Sequence, residues 1–305
     1  MNPYYREYSD FLAGYFEGKI QKLPVDAGFT CPNRDGSLGR GGCIYCNNAA
    51  FSPDGDKRAE PVAVQIARGK AFFGRKYPQM KYLAYFQSYT STYAPADTLL
   101  ALYREALTQP DVAGVVIGTR PDCMPDSLLD GIAALGAKVF IEFGAESSHD
   151  ATLRTINRCH TWAQTVDAVE RTASRSIPVG LHLILGLPGE DEAMMAETVR
   201  RVSELPVSTV KFHQLQILRG TRLAAIADRL DIPSFTAEEY AALCARLVGC
   251  LRPDIAIDRF VSQAPPELLL SPRWGLKPQQ FQTLLMKALH DEKNAAEKLA
   301  SPLQI

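Results

Sequence analysis

No stretch of the 305 residues stays apolar for the roughly 20 positions that a bilayer-spanning helix needs. The opening residues, Met1 to Asp10, are polar and aromatic, without the basic-then-apolar order of a secretory leader. A cytoplasmic protein with no membrane partner is the expectation. Charge of one sign is also scarce, because the formal net charge is -1, so no global electrostatic argument for nucleic acid exists. Internal repeats, low-complexity tracts and long linkers are missing, which excludes solenoids and argues against independently tethered domains. Apolar residues are not scarce: at 46% hydrophobic and 22% charged, the chain has the composition of an ordinary globular protein.

Charge is nevertheless unevenly spread. From Glu17 to Lys81 there are eleven Lys or Arg against six acids, a local excess of five that includes Lys57, Arg58, Arg75 and Lys76. Such a segment is either a solvated face or a phosphate-binding patch.

Six short aliphatic and aromatic segments recur: Leu23-Val25, Tyr82-Phe86, Val112-Ile117, Val139-Phe143, Leu181-Leu185 and Val210-Ile217. Each of the first five leads through a turn into a helical pattern, and strand alternating with helix predicts parallel βα units. Val62, Ile66, Gly69 and Phe73 share one helix face; Asp97 is placed to cap a helix carrying Leu99, Leu100, Tyr103 and Leu107; Leu128, Leu129, Ile132 and Leu135 make a third. Thr236 and Glu239 form a capping-box pattern ahead of Tyr240, Leu243, Leu247 and Leu251. Six units fall short of the eight in a closed barrel. The expected fold is therefore α/β, a partial (three-quarter) TIM-type (βα)6 barrel over residues 1–220. Residues 221–305 form a C-terminal α/β extension on the same domain, with a strand at Ile255-Phe260, a helix near Gln279-Leu289 and a frayed tail over Lys293-Ile305.

Seven cysteines in a reducing compartment point to metal where they cluster, rather than to a disulfide framework. They cluster after the first strand, where Gly28-Phe29-Thr30-Cys31-Pro32-Asn33-Arg34-Asp35-Gly36 is followed by Gly41-Gly42-Cys43-Ile44-Tyr45-Cys46. Three thiolates suit an iron-sulfur cluster with one open iron; a zinc ribbon would need a fourth ligand, and the nearest histidine in sequence, His149, lies beyond three strands. The loop also follows a strand end, where parallel barrels place their chemistry. Cys244 and Cys250 read as small core residues, and Cys123 and Cys159 as bordering the cavity without being ligands.

With these residues laid out, the chain resembles the radical SAM superfamily, and within it the YhcC/YtqA-like group related to Elp3-type domains. Most of the superfamily spaces its cysteines Cys-x3-Cys-x2-Cys, whereas this group widens the first gap, as Cys31-x11-Cys43-x2-Cys46 does here. The resemblance also rests on Tyr85-Phe86-Gln87-Ser88-Tyr89-Thr90-Ser91-Thr92-Tyr93, Gly118-Thr119-Arg120-Pro121-Asp122, Leu185-Gly186-Leu187-Pro188-Gly189-Glu190 and Pro272-Arg273-Trp274. It implies an enzyme in which a 4Fe-4S cluster on Cys31, Cys43 and Cys46 cleaves S-adenosyl-L-methionine reductively to a 5'-deoxyadenosyl radical. An electron donor such as flavodoxin or ferredoxin is implied as a partner. By position it assigns Tyr45, Gln87, Ser88, Glu142, Gly186 and Leu215 to S-adenosylmethionine, and Arg120, Asp122 and Arg158 to substrate, with His160, His182 and His213 as further candidates.

Two departures from the group stand out: Cys159 replaces the glycine of Arg-Gly-His, and Phe143-Gly144-Ala145-Glu146 replaces Leu-Gly-Leu-Gln. Since the Elp3-like relatives act on the wobble uridine of tRNA, the implied substrate is tRNA. The alternatives are a radical enzyme acting on a small metabolite and a non-enzymatic zinc or iron-sulfur binding module.

Overall fold

A computed structural model describes residues 2–50, 60–75, 77 and 79–300. Six strands, β1 (Ile20–Val25), β2 (Lys81–Phe86), β3 (Val112–Thr119), β4 (Lys138–Glu146), β5 (Val179–Leu185) and β6 (Thr209–Gln214), pair in sequence order and in parallel. After the two-residue β7 (Ile217–Leu218) comes β8 (Ala256–Arg259), which adds a seventh parallel strand beside β6; β9 (Leu269–Ser271) pairs antiparallel with β7. The expected partial barrel is present, and the extension donates a strand to it.

The period-two alternation of each strand sorts two kinds of surface. Tyr82, Ala84 and Phe86, Val115 and Ile117, and Val139, Ile141 and Phe143 join the large core between sheet and helices. Their neighbours Leu83 and Tyr85, Val116 and Phe140 belong to a smaller cluster with Ala256, closed by Phe11 and Leu12 of α1 (Tyr8–Ala13). That short helix floors the barrel. The edge strands β1 and β8 are not hydrogen-bonded to each other, but Lys22 Nζ on β1 lies 2.6 Å from Asp258 Oδ2 on β8 and ties the open side shut with charge.

After α2 (Pro32–Asp35), the crossovers are carried by α3 (Val62–Phe73), α4 (Ala96–Leu107), α5 (Asp126–Ala133), α6 (Asp150–Thr155), α7 (Trp162–Ala173) and α8 (Glu192–Ser203). The extension holds α9 (Arg222–Ile226), α10 (Ala237–Val248) and α11 (Pro278–Ala300). On α3 a Cβ at Gly69 would stand 2.9 Å from a Leu23 methyl, so glycine permits the close approach of this helix to β1. The capping box opening α10 is formed: Glu239 N donates to Thr236 Oγ1 at 3.1 Å and Thr236 N to Glu239 Oε2 at 2.7 Å. Tyr240 on its buried stripe packs with Trp274 and Phe281, whose rings stack at 6.0 Å, and this gives the Pro-Arg-Trp segment its structural role.

Three expectations need correction. Asp97 does not cap α4; Pro95 holds that position, its fixed φ suiting helix entry, and Asp97 lies in the first turn, where the helix dipole favours an acid. The segment Val210-Ile217 is two strands, because Gln214 and Gln216 turn their amides to the Ser262 carbonyl, at 2.7 and 3.2 Å. Lys293 to Ala300 is not frayed but continues α11, in keeping with the Ala and Lys content of that stretch; residues 301–305 lie outside the described residues.

Candidate radical SAM site

The long gap between the first two cysteines folds back on itself. Cys31 is the N-cap of α2, Pro32 is its first residue, and Gly36 at φ +97° ends it. The Leu38 and Gly39 amides donate to the Pro32 carbonyl, at 2.9 and 3.1 Å, and Gly42 N donates to Asn33 O at 2.8 Å. Asn33, fully buried, donates through Nδ2 to Asn157 O at 2.6 Å. Beyond the gap the Cys-x2-Cys turn closes with Cys46 N donating to Cys43 O at 3.0 Å, and Ile44 is tethered on both sides, to Ile156 and to Leu223. These bonds bring Cys31, Cys43 and Cys46 to the wall of one cavity at the C-terminal ends of the strands.

The chemistry around the thiols suits an anionic, metal-bound state. Arg158 Nη1 and Asn33 Nδ2 each approach Cys43 Sγ at 3.6 Å as donors. Burial, and then the neighbouring Cys43, pushes the Cys46 thiol up to about 12, so a cationic metal centre is what would allow this sulfur to ionise. Among the described residues no three His, Cys, Asp or Glu side chains converge on a point that could hold a single ion. Separate corners of a cluster ask for less convergence than one zinc does.

The same cavity is lined by five buried polar atoms that have no hydrogen-bond partner: Thr90 Oγ1, Arg120 Nη1, Arg158 Nε, His213 Nε2 and Gln216 Oε1. Each such atom costs about 1–3 kcal/mol when unsatisfied, so together they mark the place of a polar ligand.

Of the residues assigned to S-adenosylmethionine, Tyr45, Gln87, Glu142 and Leu215 line this cavity; Ser88 and Gly186 lie off its wall. Gly186 is instead a positive-φ turn, φ +84°, against the Phe235 ring. Glu142 is heavily committed. It accepts from Lys22 Nζ at 2.8 Å and from Lys211 Nζ at 2.5 Å, and it pairs with His182 Nε2 at 3.0 Å. Burial pushes its carboxyl up, but Lys211, Lys22 and His182 outweigh burial and hold it well below the usual range. Burial and Lys211 in turn lower His182 to about 4, leaving a neutral imidazole.

Arg120 and Arg158 also line the cavity, whereas Asp122 does not; it holds Arg120 in a two-pronged pair at 2.9 and 2.8 Å. Arg120 Nη2 also donates to the Arg158 carbonyl at 2.8 Å, and Arg158 to Gly144 O at 2.7 Å. The two departures noted in sequence meet here. Glu146, at φ +66°, stands 3.4 Å from Arg158 and lines the cavity with Tyr45; Cys159 adopts φ +59°, the conformation for which a glycine is suited. His160 is buried with neither ring nitrogen bonded. Cys244 is fully buried beside Tyr240, as a core cysteine should be.

Sequence reasoning missed the lysines. Lys22 lies just before the Leu23-Val25 run, while Lys211 sits between Val210 and Phe212 of a segment read as strand, and that lysine is the available signal. Arg259 and Ser262 were missed too, because only the added strand β8 brings that part of the chain to the cavity, and Gln214 and Gln216 were missed because their segment reads as one continuous strand.

Residues 31–202 match the family model of the Radical SAM superfamily. The chain belongs to that superfamily. Residues 207–290 match the Radical SAM C-terminal domain. As a radical SAM enzyme the chain uses a 4Fe-4S cluster and S-adenosyl-L-methionine and needs a reductant. It is 36% identical to Protein YhcC of Escherichia coli (strain K12) over 259 residues, 84% of this chain and 82% of that protein. It is 23% identical over 174 residues to a tRNA uridine(34) acetyltransferase of Methanocaldococcus jannaschii, covering 56% of this chain and 31% of the relative. Among solved structures it is similar to the archaeal Methanocaldococcus infernus Elp3, with a TM-score of 0.67 at 15% identity, over 90% of this chain and 64% of that one. This chain thus spans less than two thirds of either archaeal protein. No helix among the described residues is long and apolar enough to cross a membrane.

Proposed function

We propose that Cys31, Cys43 and Cys46 ligate three irons of the cluster and leave the fourth to S-adenosylmethionine, and that the enzyme modifies the side chain of a wobble uridine in tRNA. The observation that carries the first half is the meeting of three thiols with the unpartnered Thr90 Oγ1, Arg120 Nη1 and Arg158 Nε on one cavity wall. When bound, the cluster and S-adenosylmethionine supply a 5'-deoxyadenosyl radical that removes a hydrogen atom from substrate.

The chain's own residues bind, orient and exclude water. Arg158 and Asn33 direct N–H groups at the Cys43 sulfur, and the Arg120–Asp122 pair fixes Arg158 through its carbonyl. Tyr45 and Gln87, both on the cavity wall, contact S-adenosylmethionine in this reading. Ile44, Ile184, Leu187 and Leu215 form an apolar cluster on that side of the site, which keeps water from a reactive intermediate.

The tRNA half is supported by the likeness to a tRNA uridine(34) acetyltransferase. The basic segment is compatible with it: Arg75 is exposed, while Lys57, Arg58 and Lys76 lie outside the described residues. Flavodoxin or ferredoxin is the proposed electron donor, and the cytoplasm the proposed location. The test is anaerobic turnover with total tRNA, reductant and S-adenosylmethionine, followed by nucleoside mass spectrometry. One uridine derivative should change mass, and not with a Cys43→Ala variant. Nucleosides identical in both, while S-adenosylmethionine is consumed, would move the substrate to a small metabolite.

A further inference from the structure

Below the cysteine loop the cavity continues into the barrel, where Tyr85, Glu142 and His182 project from mid-strand positions and Arg259 closes the wall from β8. Three cations gather there, Lys22, Lys211 and Arg259, against two acids, Glu142 and Asp258, an excess of one positive charge. The acids are spoken for by the lysines, since Lys22 lies 2.8 Å from Glu142 and 2.6 Å from Asp258, and Lys211 lies 2.5 Å and 3.4 Å from the same two. Arg259, an exposed residue at the end of β8, lines the cavity, and its guanidinium makes no hydrogen bond or ion pair among the described residues.

Beside it, the His182 and His213 rings lie 5.3 Å apart at 34°. His213 Nδ1 is held by the Ser262 hydroxyl, whose backbone N–H donates to Gln214 Oε1 at 2.8 Å. With that hydroxyl as donor, His213 carries its proton on Nε2, and Nε2 is a buried cavity-lining atom without a partner. Burial and then Arg259 hold this imidazole well below its usual range, so it is a neutral donor rather than a cation. A second cavity of about 540 Å³ shares Gln214, Gln216 and Ser262 with the first and opens between them and the segment around Trp274, which gives this end its own approach.

We propose that this end of the cavity, where the edge strand β8 meets it, seats an oxyanion carried by the substrate, a carboxylate or a phosphate, with Arg259 as its charged partner and His213 Nε2–H as its neutral donor. The seat rests on the radical chemistry proposed above, since it would hold the group that anchors the substrate beside the reacting atom. Arg259 then selects substrates by charge, and it comes from the strand that the extension contributes.

The test uses the chain loaded with cluster and S-adenosylmethionine, without reductant, so that the cofactor end is filled. The chain has five histidines, so ring signals from nitrogen-15 histidine labelling are assignable by single substitutions. Inorganic phosphate is titrated in one arm and acetate in the other. The His213 ring should shift saturably, the exposed His290 should not, and Arg259→Gln should weaken the apparent affinity roughly tenfold while Arg259→Lys keeps most of it. The stronger arm tells a phosphate ester from a carboxylate. Absence of a saturable shift in both arms, or an equal shift in Arg259→Gln, overturns the proposal. Reductive cleavage by the unaltered holoenzyme is measured beside it; its failure removes the proposed function, and the titration, which needs no electron, still decides the seat.

Discussion

Replacing Glu142 with leucine tests whether the charges inside the barrel are a mutually dependent set. The carboxylate is 3% exposed and touches Lys22, Lys211 and His182. Its removal leaves Lys22 with Asp258 at 2.6 Å, but leaves Lys211 only Asp258 at 3.4 Å and the Tyr85 hydroxyl at 3.0 Å. Breaking a buried pair from one side costs about 3–5 kcal/mol, and the residual contacts place this case near 3. At roughly 2–4 °C per kcal/mol for chains approaching this size, the melting temperature should fall by about 6–12 °C. Two controls sharpen the prediction. Adding Lys211→Met removes the stranded ammonium, so the double variant should melt above Glu142→Leu, in keeping with the near-neutral replacement of buried pairs by apolar residues.

Rising pH should act in the same direction. Burial lowers Lys211 to about 8 in the fold from 10.5 in the unfolded chain, so between those values the unfolded chain binds more protons and stability attributable to this group rises with pH. Without Glu142 the window opens lower still, and the deficit of the variant should shrink as pH climbs past neutrality. Thermal unfolding followed by circular dichroism reads all three. A Glu142→Leu protein that melts with the parent, or a double variant less stable than the single one, would refute the reasoning.

Other expectations are simpler. Gln87→Ala and Tyr45→Leu should each raise the dissociation constant for S-adenosylmethionine by about three- to tenfold, the worth of one ligand hydrogen bond or ring contact, with cluster absorbance unchanged; unaltered affinity removes both from the site. Cys159→Gly should stabilise by about 1 kcal/mol by relieving the left-handed backbone at φ +59°, seen as a higher urea midpoint at constant slope; a lower midpoint means the thiol, 3.1 Å from Asn33 Oδ1, matters more than the strain. Neutralising Lys57, Arg58, Arg75 and Lys76 together should lower the salt dependence of tRNA binding by about three logarithmic units per unit of log salt; an unchanged slope means that these four charges do not meet phosphate.

Much of the barrel was legible because β2 to β5 are largely apolar runs bounded by turn residues, and because the capping box before Tyr240 marks a helix start without help from tertiary contacts. The strand break at Leu215 was not, since no Gly or Pro signals it and the competing bonds come from Ser262, some 46 residues on. The cysteines announced themselves by spacing, whereas the lysines around Glu142 did not: lysine belongs at the surface by composition, and only strand parity together with the strand order shows Lys22, Lys211 and Asp258 meeting inside. Glu142 was legible as an inward acid but not as one already held by two lysines. The glycine position taken by Cys159 was readable as a departure, and its cost became visible only as a backbone angle.

The most direct measurement is anaerobic. Protein reconstituted with iron and sulfide, given dithionite and S-adenosylmethionine, should release 5'-deoxyadenosine, and Cys31→Ala, Cys43→Ala and Cys46→Ala should each abolish that release together with the cluster's absorbance. A parent protein that binds stoichiometric zinc instead, or that holds a complete cluster yet yields no 5'-deoxyadenosine, would contradict the three-thiol, open-iron site.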